Sequence, residues 1–183
     1  MSERVYITNG LRTPFGSFGG SLKDIEVETL AALVIKELVS RSKIAPEEIN
    51  AVHLGCANTA ESKDVIAPVI ARQALLKAGL PVQVLSSTVD KACCSGTEAI
   101  KKGFDAIRLG EADVVIAGGV QTMSRAPLVV RNVRWGNRLG NLEMEDCLFA
   151  SGYKDYNLHD RHPYSDDVDT YFNSKSCGYR QGS

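Results

Sequence analysis

Residues 90–100 read Asp-Lys-Ala-Cys-Cys-Ser-Gly-Thr-Glu-Ala-Ile, and this stretch decides the fold class of the chain. Before it, residues 82–89 alternate in polarity and are rich in β-branched side chains, which predicts a strand. After it, apolar side chains recur at helical spacing as far as Ile107, which predicts a helix. We call residues 90–96, which join the predicted strand to the predicted helix, the cysteine elbow.

The paired cysteines of this elbow have two interpretations. Cys93 is predicted where the helix begins, and there the unpaired N–H groups and the helix dipole favour a reactive thiolate. The same N–H groups can hold an oxyanion. Ser95 and Thr97 are typical of helix starts, and Gly96 allows a ligand or another backbone to approach closely. The residue types alone leave open that Cys93 and Cys94 are two small apolar side chains in a core.

Strands and helices alternate on both sides of the elbow. The predicted strands are residues 5–8, 51–55, 82–89 and 114–117, and the predicted helices are residues 28–41, 68–78 and the segment from the elbow to residue 109. Pro46 suits a first helical turn, and Gly79 is placed to end the second helix. Alternation of this kind predicts a layered α/β sheet with right-handed crossovers.

The composition argues against two classes of protein, those that bind nucleic acid and those that span a membrane. With 183 residues, of which 44% are hydrophobic and 23% charged, the chain is long enough for a single buried core. Its net charge of −1 gives no electrostatic footprint for nucleic acid, and no apolar run approaches the ~20 residues that span a bilayer. The five cysteines are an odd number and the N-terminus does not resemble a signal sequence. We therefore expect reduced thiols, no disulfides and a cytoplasmic location.

Three further segments strengthen the catalytic interpretation of Cys93. Residues 12–20 read RTPFGSFGG, residues 71–74 read ARQA and residues 118–124 read GGVQTMS. Together with the elbow, these segments resemble the thiolase family in the order that this family uses, over about residues 4–150. On this resemblance Cys93 corresponds to the acyl-accepting nucleophile and its backbone to an oxyanion donor.

The resemblance implies a layered thiolase-like α/β fold, of which the chain supplies the N-terminal half. It implies an N-terminal α/β domain at residues 1–122, and part of the excursion (loop) domain with a polar tail at residues 123–183. It also implies that the strand before the elbow lies near a subunit interface. Substrate-binding residues are not predicted.

Departures from the family pattern affect the expected mechanism. Asp90 stands where asparagine is common and Gln121 where glutamate is usual, and both changes keep a hydrogen-bonding side chain. Thiolases also carry a Gly-His-Pro histidine, an Asn-Glu-x-Phe segment and a Cys-x-Gly-Gly-Gly cysteine, and none of these occurs here. Cys94 is not expected to replace the second cysteine, because neighbours on a helix point about 100° apart.

The histidines of the chain are poor substitutes for the proton-moving group. His53 lies in a predicted strand, where we expect a structural role. His159 and His162 have an H-x-x-H spacing, but they lie in a polar stretch with no third ligand at sensible spacing. We expect surface histidines and no metal site.

The resemblance therefore implies one subunit of an acetyl-CoA acetyltransferase-type enzyme. It would form or cleave 3-ketoacyl-CoA, in fatty acid or ketone body metabolism, through an acyl-cysteine. The remaining catalytic groups would lie on a second thiolase-like subunit, in a hetero-tetramer with two copies of each chain. No cofactor is expected, since coenzyme A thioesters are substrates. The alternatives are a ketosynthase-like condensing subunit, a catalytically silent scaffold, and a truncated fragment.

Overall fold

The computed structural model describes residues 4–63 and 69–150, with the side chains of 149 and 150 excepted. The helices are α1 (Val27–Ser42), α2 (Ile70–Lys77), α3 (Ser95–Arg108) and α4 (Cys147–Ala150). The strands are β1 (Ala51–Gly55), β2 (Leu85–Val89), β3 (Val115–Gly119), β4 (Leu128–Val130) and β5 (Met144–Asp146). Three short 3₁₀ turns lie at Pro46–Glu48, Thr59–Glu61 and Met123–Arg125.

Strand β1 lies at the centre of a parallel sheet of order β2-β1-β3. Every residue of β1 is buried, as expected of a parallel strand with both faces covered by helices. Val52 and Leu54 point to one face, where they pack with α1 and α2 in the main apolar core. Gly55 points to the other face, where its Cα approaches the first turn of α3. The predicted layered α/β arrangement is therefore confirmed.

The two crossover connections run in opposite directions across β1. The chain passes from β1 through α2 to its neighbour β2, and then from β2 through α3 over β1 to β3. Connections of one hand that run in opposite directions place their helices on opposite faces of a sheet. The loops that follow β1 and β2 therefore leave toward opposite faces of the sheet, and we call the place where they separate, at the carboxyl ends of these strands, the crevice.

Most predicted elements match the observed ones, and two strands differ. Residues 5–8 form no strand and pair with none of the described strands; Tyr6 is 71% exposed and Ile7 87% exposed. A strand needs a hydrogen-bonding neighbour, and β-branched composition alone does not supply one. The strand predicted at residues 82–89 begins only at Leu85, because Val84 N–H turns back to the carbonyl of Pro81 at 3.1 Å. Gly79 ends α2 as predicted, with a φ of 85°.

The chain divides into two compact units, one ending at Pro127 and the other beginning at Leu128. In the second unit, β4 and β5 form an antiparallel pair, and Arg131 Nε bonds to Glu145 Oε2 at 2.9 Å. The predicted domain boundary after residue 122 and the assignment of a loop domain stay predictions. Residues 151–183, with His159 and His162, lie outside the described residues, as does the predicted helix start at residue 68.

Within the described part of the chain, none of the helices has both the length and the apolar character that a membrane crossing requires.

Candidate active site

The cysteine elbow lies at the crevice between β1 and β2. It follows Val89, the last residue of β2, whose carbonyl accepts the N–H of Cys56 at 2.9 Å. Cys56 is the first residue after β1, so this bond marks the point where the two loops diverge. Ligands of open α/β sheets bind at such a point, outside the carboxyl ends of the strands. The topology therefore places the elbow where a substrate site is expected.

The sequence predicted Cys93 at the first residue of the helix, and the structure places it elsewhere. Helix α3 begins at Ser95 and Cys94 is its N-cap residue, so Cys93 lies one residue before the cap. The reason is a tight turn, in which Ala92 has a φ of 47° and Cys94 N–H donates to the Lys91 carbonyl at 3.0 Å. This turn presents both thiols to solvent, so that the interpretation as buried core side chains is wrong for Cys93 and Cys94.

Cys94 was not expected to replace the second cysteine because the side chains of neighbours on a helix point about 100° apart. Both cysteines instead precede the first helical residue, in a turn whose geometry is not that of a helix. Cys94 is therefore a second exposed thiol beside the predicted nucleophile.

Ser95 holds the elbow in this conformation. Its side chain is buried, and its hydroxyl accepts the N–H of Lys91 at 2.8 Å and donates to the carbonyl of Ala92 at 2.6 Å. The sequence indicated only that Ser95 suits a helix start. The two hydrogen bonds point back into the turn, and no sequence signal identifies them, because they depend on the left-handed conformation of Ala92.

We predict that Ser95→Ala lowers the free energy of unfolding by about 1 kcal/mol, because two partly buried hydrogen bonds, one from the Lys91 N–H and one to the Ala92 carbonyl, are lost. Acylation of Cys93, the reaction that the family resemblance implies, should slow in the same variant, since the turn is then held less firmly. Thr97→Ala is the matched control, because Thr97 lies in the same helical turn and is exposed. Urea denaturation checks the prediction, and equal stability of the two variants would contradict it.

The two departures from the family pattern both make hydrogen bonds, as expected. Asp90 Oδ1 accepts the N–H of Ala92 at 3.0 Å, within the elbow. Gln121 Oε1 accepts the N–H of Ala57 at 3.0 Å, which ties the segment after β3 to the loop after β1. Asparagine at the first position, or glutamate at the second, would offer the same acceptor oxygen.

A second set of hydrogen bonds between these two loops was not predicted from the sequence. Glu61 is fully buried, and its Oε2 accepts the backbone N–H of Thr122 at 2.6 Å and the hydroxyl of Thr122 at 3.2 Å. In the sequence Glu61 lies in a polar stretch, which predicts a surface residue. Its contact with Thr122 spans 61 positions along the chain, so a local pattern cannot reveal it.

The thiol of Cys56 differs from those of the elbow. Cys56 is buried, and burial raises its pKa to about 11. Its Sγ donates to the carbonyl of Asn58 at 3.5 Å. Near neutral pH this cysteine stays a protonated thiol, which is a poor nucleophile. Of the thiols around the crevice, those of Cys93 and Cys94 are the accessible ones.

His53 has the structural role that the sequence predicted. It is the only histidine among residues 4–63 and 69–150, it is buried in β1, and its Nδ1 lies 2.7 Å from Ser87 Oγ. Burial, together with the charge of Lys102, lowers its pKa below 6.5. This part of the chain therefore supplies no exposed histidine that would move a proton at the crevice.

We predict that His53 makes the fold less stable at mildly acidic pH. Its folded-state pKa is lowered, so between that value and 6.5 the unfolded chain binds more protons than the folded chain. Stability is therefore lost as the pH falls through this window, by up to about 1.4 kcal/mol per pH unit. Urea denaturation of the wild type and of His53→Asn, at about pH 7.5 and about pH 5.5, measures this term. Identical pH slopes for the two proteins would contradict the prediction.

Comparison with known proteins identifies the family. The family model for the thiolase N-terminal domain matches residues 5–162. The chain belongs to the thiolase family. It is 40% identical over 153 residues to a probable acetyl-CoA acyltransferase of Staphylococcus epidermidis, an alignment that covers 84% of this chain and 38% of the relative. It is 47% identical over 133 residues to the β-ketoadipyl-CoA thiolase of Pseudomonas knackmussii, covering 71% of this chain and 32% of that thiolase.

Solved thiolase structures agree with this assignment. The crystal structure of human mitochondrial 3-ketoacyl-CoA thiolase superimposes with a TM-score of 0.71 at 39% sequence identity, over 76% of this chain and 35% of that one. Acetyl-CoA acetyltransferase of Bacillus anthracis gives a TM-score of 0.69 at 39% identity, over 75% and 34%. The chain thus has the fold of the N-terminal part of thiolases and spans about 35% of the human thiolase chain.

Proposed function

We propose that this chain carries the nucleophile of a thiolase-type acyl-CoA C-acyltransferase, and that Cys93 receives the acyl group. The supporting observation is the exposed Cys93 thiol on a braced turn, just before α3 and at the crevice between β1 and β2. A core cysteine would need neither the exposure nor the turn. The chemistry needs a reduced thiol, which fits the cytoplasmic location that we propose.

The acyl transfer requires little of the protein beyond this elbow. The Cys93 thiolate attacks the thioester carbonyl, an S–C bond forms, and the coenzyme A thiolate leaves as the intermediate collapses. We assign the oxyanion of that intermediate to the backbone N–H of Cys93. The N–H groups of Lys91, Ala92, Cys94 and Ser95 each bond to other groups within the elbow.

The second half of the reaction needs a group that moves a proton at the α-carbon or at the incoming thiol. We propose that a partner subunit of thiolase type supplies it, in an assembly with two copies of each chain. Its interface would include α3, where Ile100 is 47% exposed and Phe104 44% exposed, one turn apart on the same side of the helix. Apolar side chains that line one helix face near a catalytic residue are typical of an interface.

A further surface supports an assembly with a second copy of this chain. Strand β2 is at the edge of its sheet, and its Leu85 N–H donates inward to the Asn50 carbonyl at 3.0 Å. Because successive N–H groups of a strand alternate in direction, those of Ser86 and Thr88 point outward. An edge strand that has no outer neighbour among the described residues favours pairing with another strand.

We predict that Ile100→Asp prevents assembly and activity while leaving the isolated chain folded. In the isolated chain the change lies on the surface and should alter stability by no more than about 0.5 kcal/mol. In the complex it would bury an unpaired carboxylate. Leu33→Asp is the matched control, since Leu33 is 56% exposed on α1. Sedimentation with the partner measures assembly, and equal behaviour of the two variants would contradict the prediction.

Turnover with and without other chains tests the proposed function. The purified chain should not cleave acetoacetyl-CoA in the presence of coenzyme A, because residues 4–63 and 69–150 offer no exposed histidine to move the proton. A tagged chain recovered from its own cells together with its co-purifying polypeptides should cleave it. Full activity of the purified chain alone would overturn the division of the site between subunits.

A further inference from the structure

Two exposed thiols on adjacent residues are a chemical feature that acyl transfer does not use. Acyl transfer needs one nucleophilic sulfur, and Cys93 supplies it. Cys94 is nevertheless exposed at the N-cap of α3, directly beside Cys93. An exposed thiolate is the form of cysteine that peroxides oxidise, and a neighbouring thiol decides what happens to the product.

We propose that Cys94 is a resolving thiol, which converts a peroxide-oxidised Cys93 into a disulfide that reductants can reverse. The proposal goes beyond the proposed function, and it rests on the exposure and adjacency of the two thiols. It names a modification site, Cys93–Cys94, and the class of reagent that acts there, a hydroperoxide.

The chemistry proceeds in two balanced steps. In the first, the Cys93 thiolate attacks hydrogen peroxide, an S–O bond forms as the O–O bond breaks, and hydroxide leaves. The sulfur is oxidised by two electrons to a sulfenic acid, and the peroxide oxygen is reduced. In the second, the Cys94 thiol attacks the Cys93 sulfur, an S–S bond forms, and the sulfenic oxygen leaves as water after taking the Cys94 proton. A dithiol later reduces the bond.

Local structure permits this bond and makes it easy to reduce. Adjacent Cα atoms are about 3.8 Å apart, below the usual range for disulfides, so the linkage is strained and readily reduced. The peptide that must distort joins Cys93 to Cys94. Its N–H bonds to the Lys91 carbonyl within the turn, so rotation of this peptide breaks no hydrogen bond of α3.

Cys56 provides an internal comparison in the same crevice. Its thiol is buried, and burial raises its pKa to about 11, so peroxide should leave it unoxidised under conditions that modify the elbow. Among Cys56, Cys93 and Cys94, oxidation should therefore be confined to the two thiols of the elbow. Trypsin cleaves after Lys91 and Lys101, which places both elbow thiols on one peptide, residues 92–101.

Peptide mass spectrometry after treatment of the full chain with hydrogen peroxide tests the proposal. In the wild type, peptide 92–101 should lose two hydrogens, take up no iodoacetamide, and recover both thiols after dithiothreitol. In Cys94→Ser, Cys93 should instead react with dimedone as a sulfenic acid and then pass to the irreversible sulfinic acid. Cys93→Ser is the control, in which Cys94 alone should oxidise more slowly.

Several results would overturn the proposal. One is sulfinic acid on Cys93 at the same rate in the wild type and in Cys94→Ser. Others are disulfides that join two chains, earlier oxidation of Cys56, or no oxidation of the elbow. All of these readouts are independent of acyl transfer, so the proposed function would stand if the resolving role failed. Circular dichroism of the untreated variants separates a chemical effect from unfolding.

Discussion

Replacing Cys93 with alanine should reduce turnover of the assembled enzyme by at least about 10⁴-fold, because the acyl acceptor is removed. The side chain is exposed, so stability should change by no more than about 0.5 kcal/mol. The loss would therefore be chemical rather than structural. Coenzyme A-dependent cleavage of acetoacetyl-CoA by the complex, with urea denaturation of the chain alone, measures both quantities.

Cys94→Ala is the matched control for this experiment. It removes the adjacent thiol from the same turn and should retain most of the activity of the wild type under reducing conditions. If Cys94→Ala were inactive and Cys93→Ala active, the assignment of the nucleophile would be reversed. If both variants were active, the acyl-cysteine mechanism would not apply to this elbow.

Gly55→Ala should have the largest effect on the fold near the site. A Cβ at this position would lie 2.3 Å from the carbonyl carbon of Ser95 and 2.4 Å from the backbone nitrogen of Gly96. Both are backbone atoms, so the first turn of α3 would have to move away from β1. We expect a loss of about 3 kcal/mol or more in the free energy of unfolding. Because the Ser95 hydroxyl holds the turn that carries Cys93, the rate of acylation of Cys93 should also fall by about 100-fold.

Gly96→Ala tests whether the loss of stability in Gly55→Ala comes from the close approach of β1 to α3 or merely from replacing a glycine. A Cβ at Gly96 would meet the Cα of Gly119 at 3.7 Å, an ordinary van der Waals contact. Alanine is also the better helix former, by up to about 1 kcal/mol. The Gly96 variant should therefore be as stable as the wild type or more so in thermal denaturation. Equal destabilisation by the two substitutions would show that the packing of α3 on β1 is not as described.

Local patterns in the sequence predicted the sheet and its helices well. Residues 51–55 were predicted as a strand and form β1. The prediction succeeded because a short, mostly apolar run bounded by turns is typical of a buried strand in an α/β chain. The end of α2 at Gly79 follows from the freedom of glycine to adopt a positive φ. These predictions depend only on neighbours along the chain, which is why they succeeded.

The errors have a common physical origin in contacts that are distant in sequence or unusual in backbone conformation. Residues 5–8 have strand composition but lack a pairing neighbour among the described strands. The start of α3 was misplaced by two residues because Ala92 adopts a left-handed conformation that alanine rarely takes. The antiparallel pair of β4 and β5 joins segments more than ten residues apart, in a stretch for which only part of a loop domain was predicted.

The candidate site was predicted in part. The position of the elbow follows from the strand, the small residues and the helix that surround it, whereas the residue types alone left the exposure of Cys93 open. The role of Ser95 and the Glu61–Thr122 contact did not follow, because both depend on the folded arrangement of backbone groups. Such groups brace the site and do not react, so no motif of chemically reactive residue types marks them.

The central claim is that Cys93 accepts the acyl group. The most direct measurement is incubation of the complex with acetyl-CoA, followed by fragmentation mass spectrometry of peptide 92–101, which separates Cys93 from Cys94. We predict an acetyl thioester on Cys93 that disappears when free coenzyme A is added. An acetyl group found only on Cys94 or only on Cys56 would contradict the account.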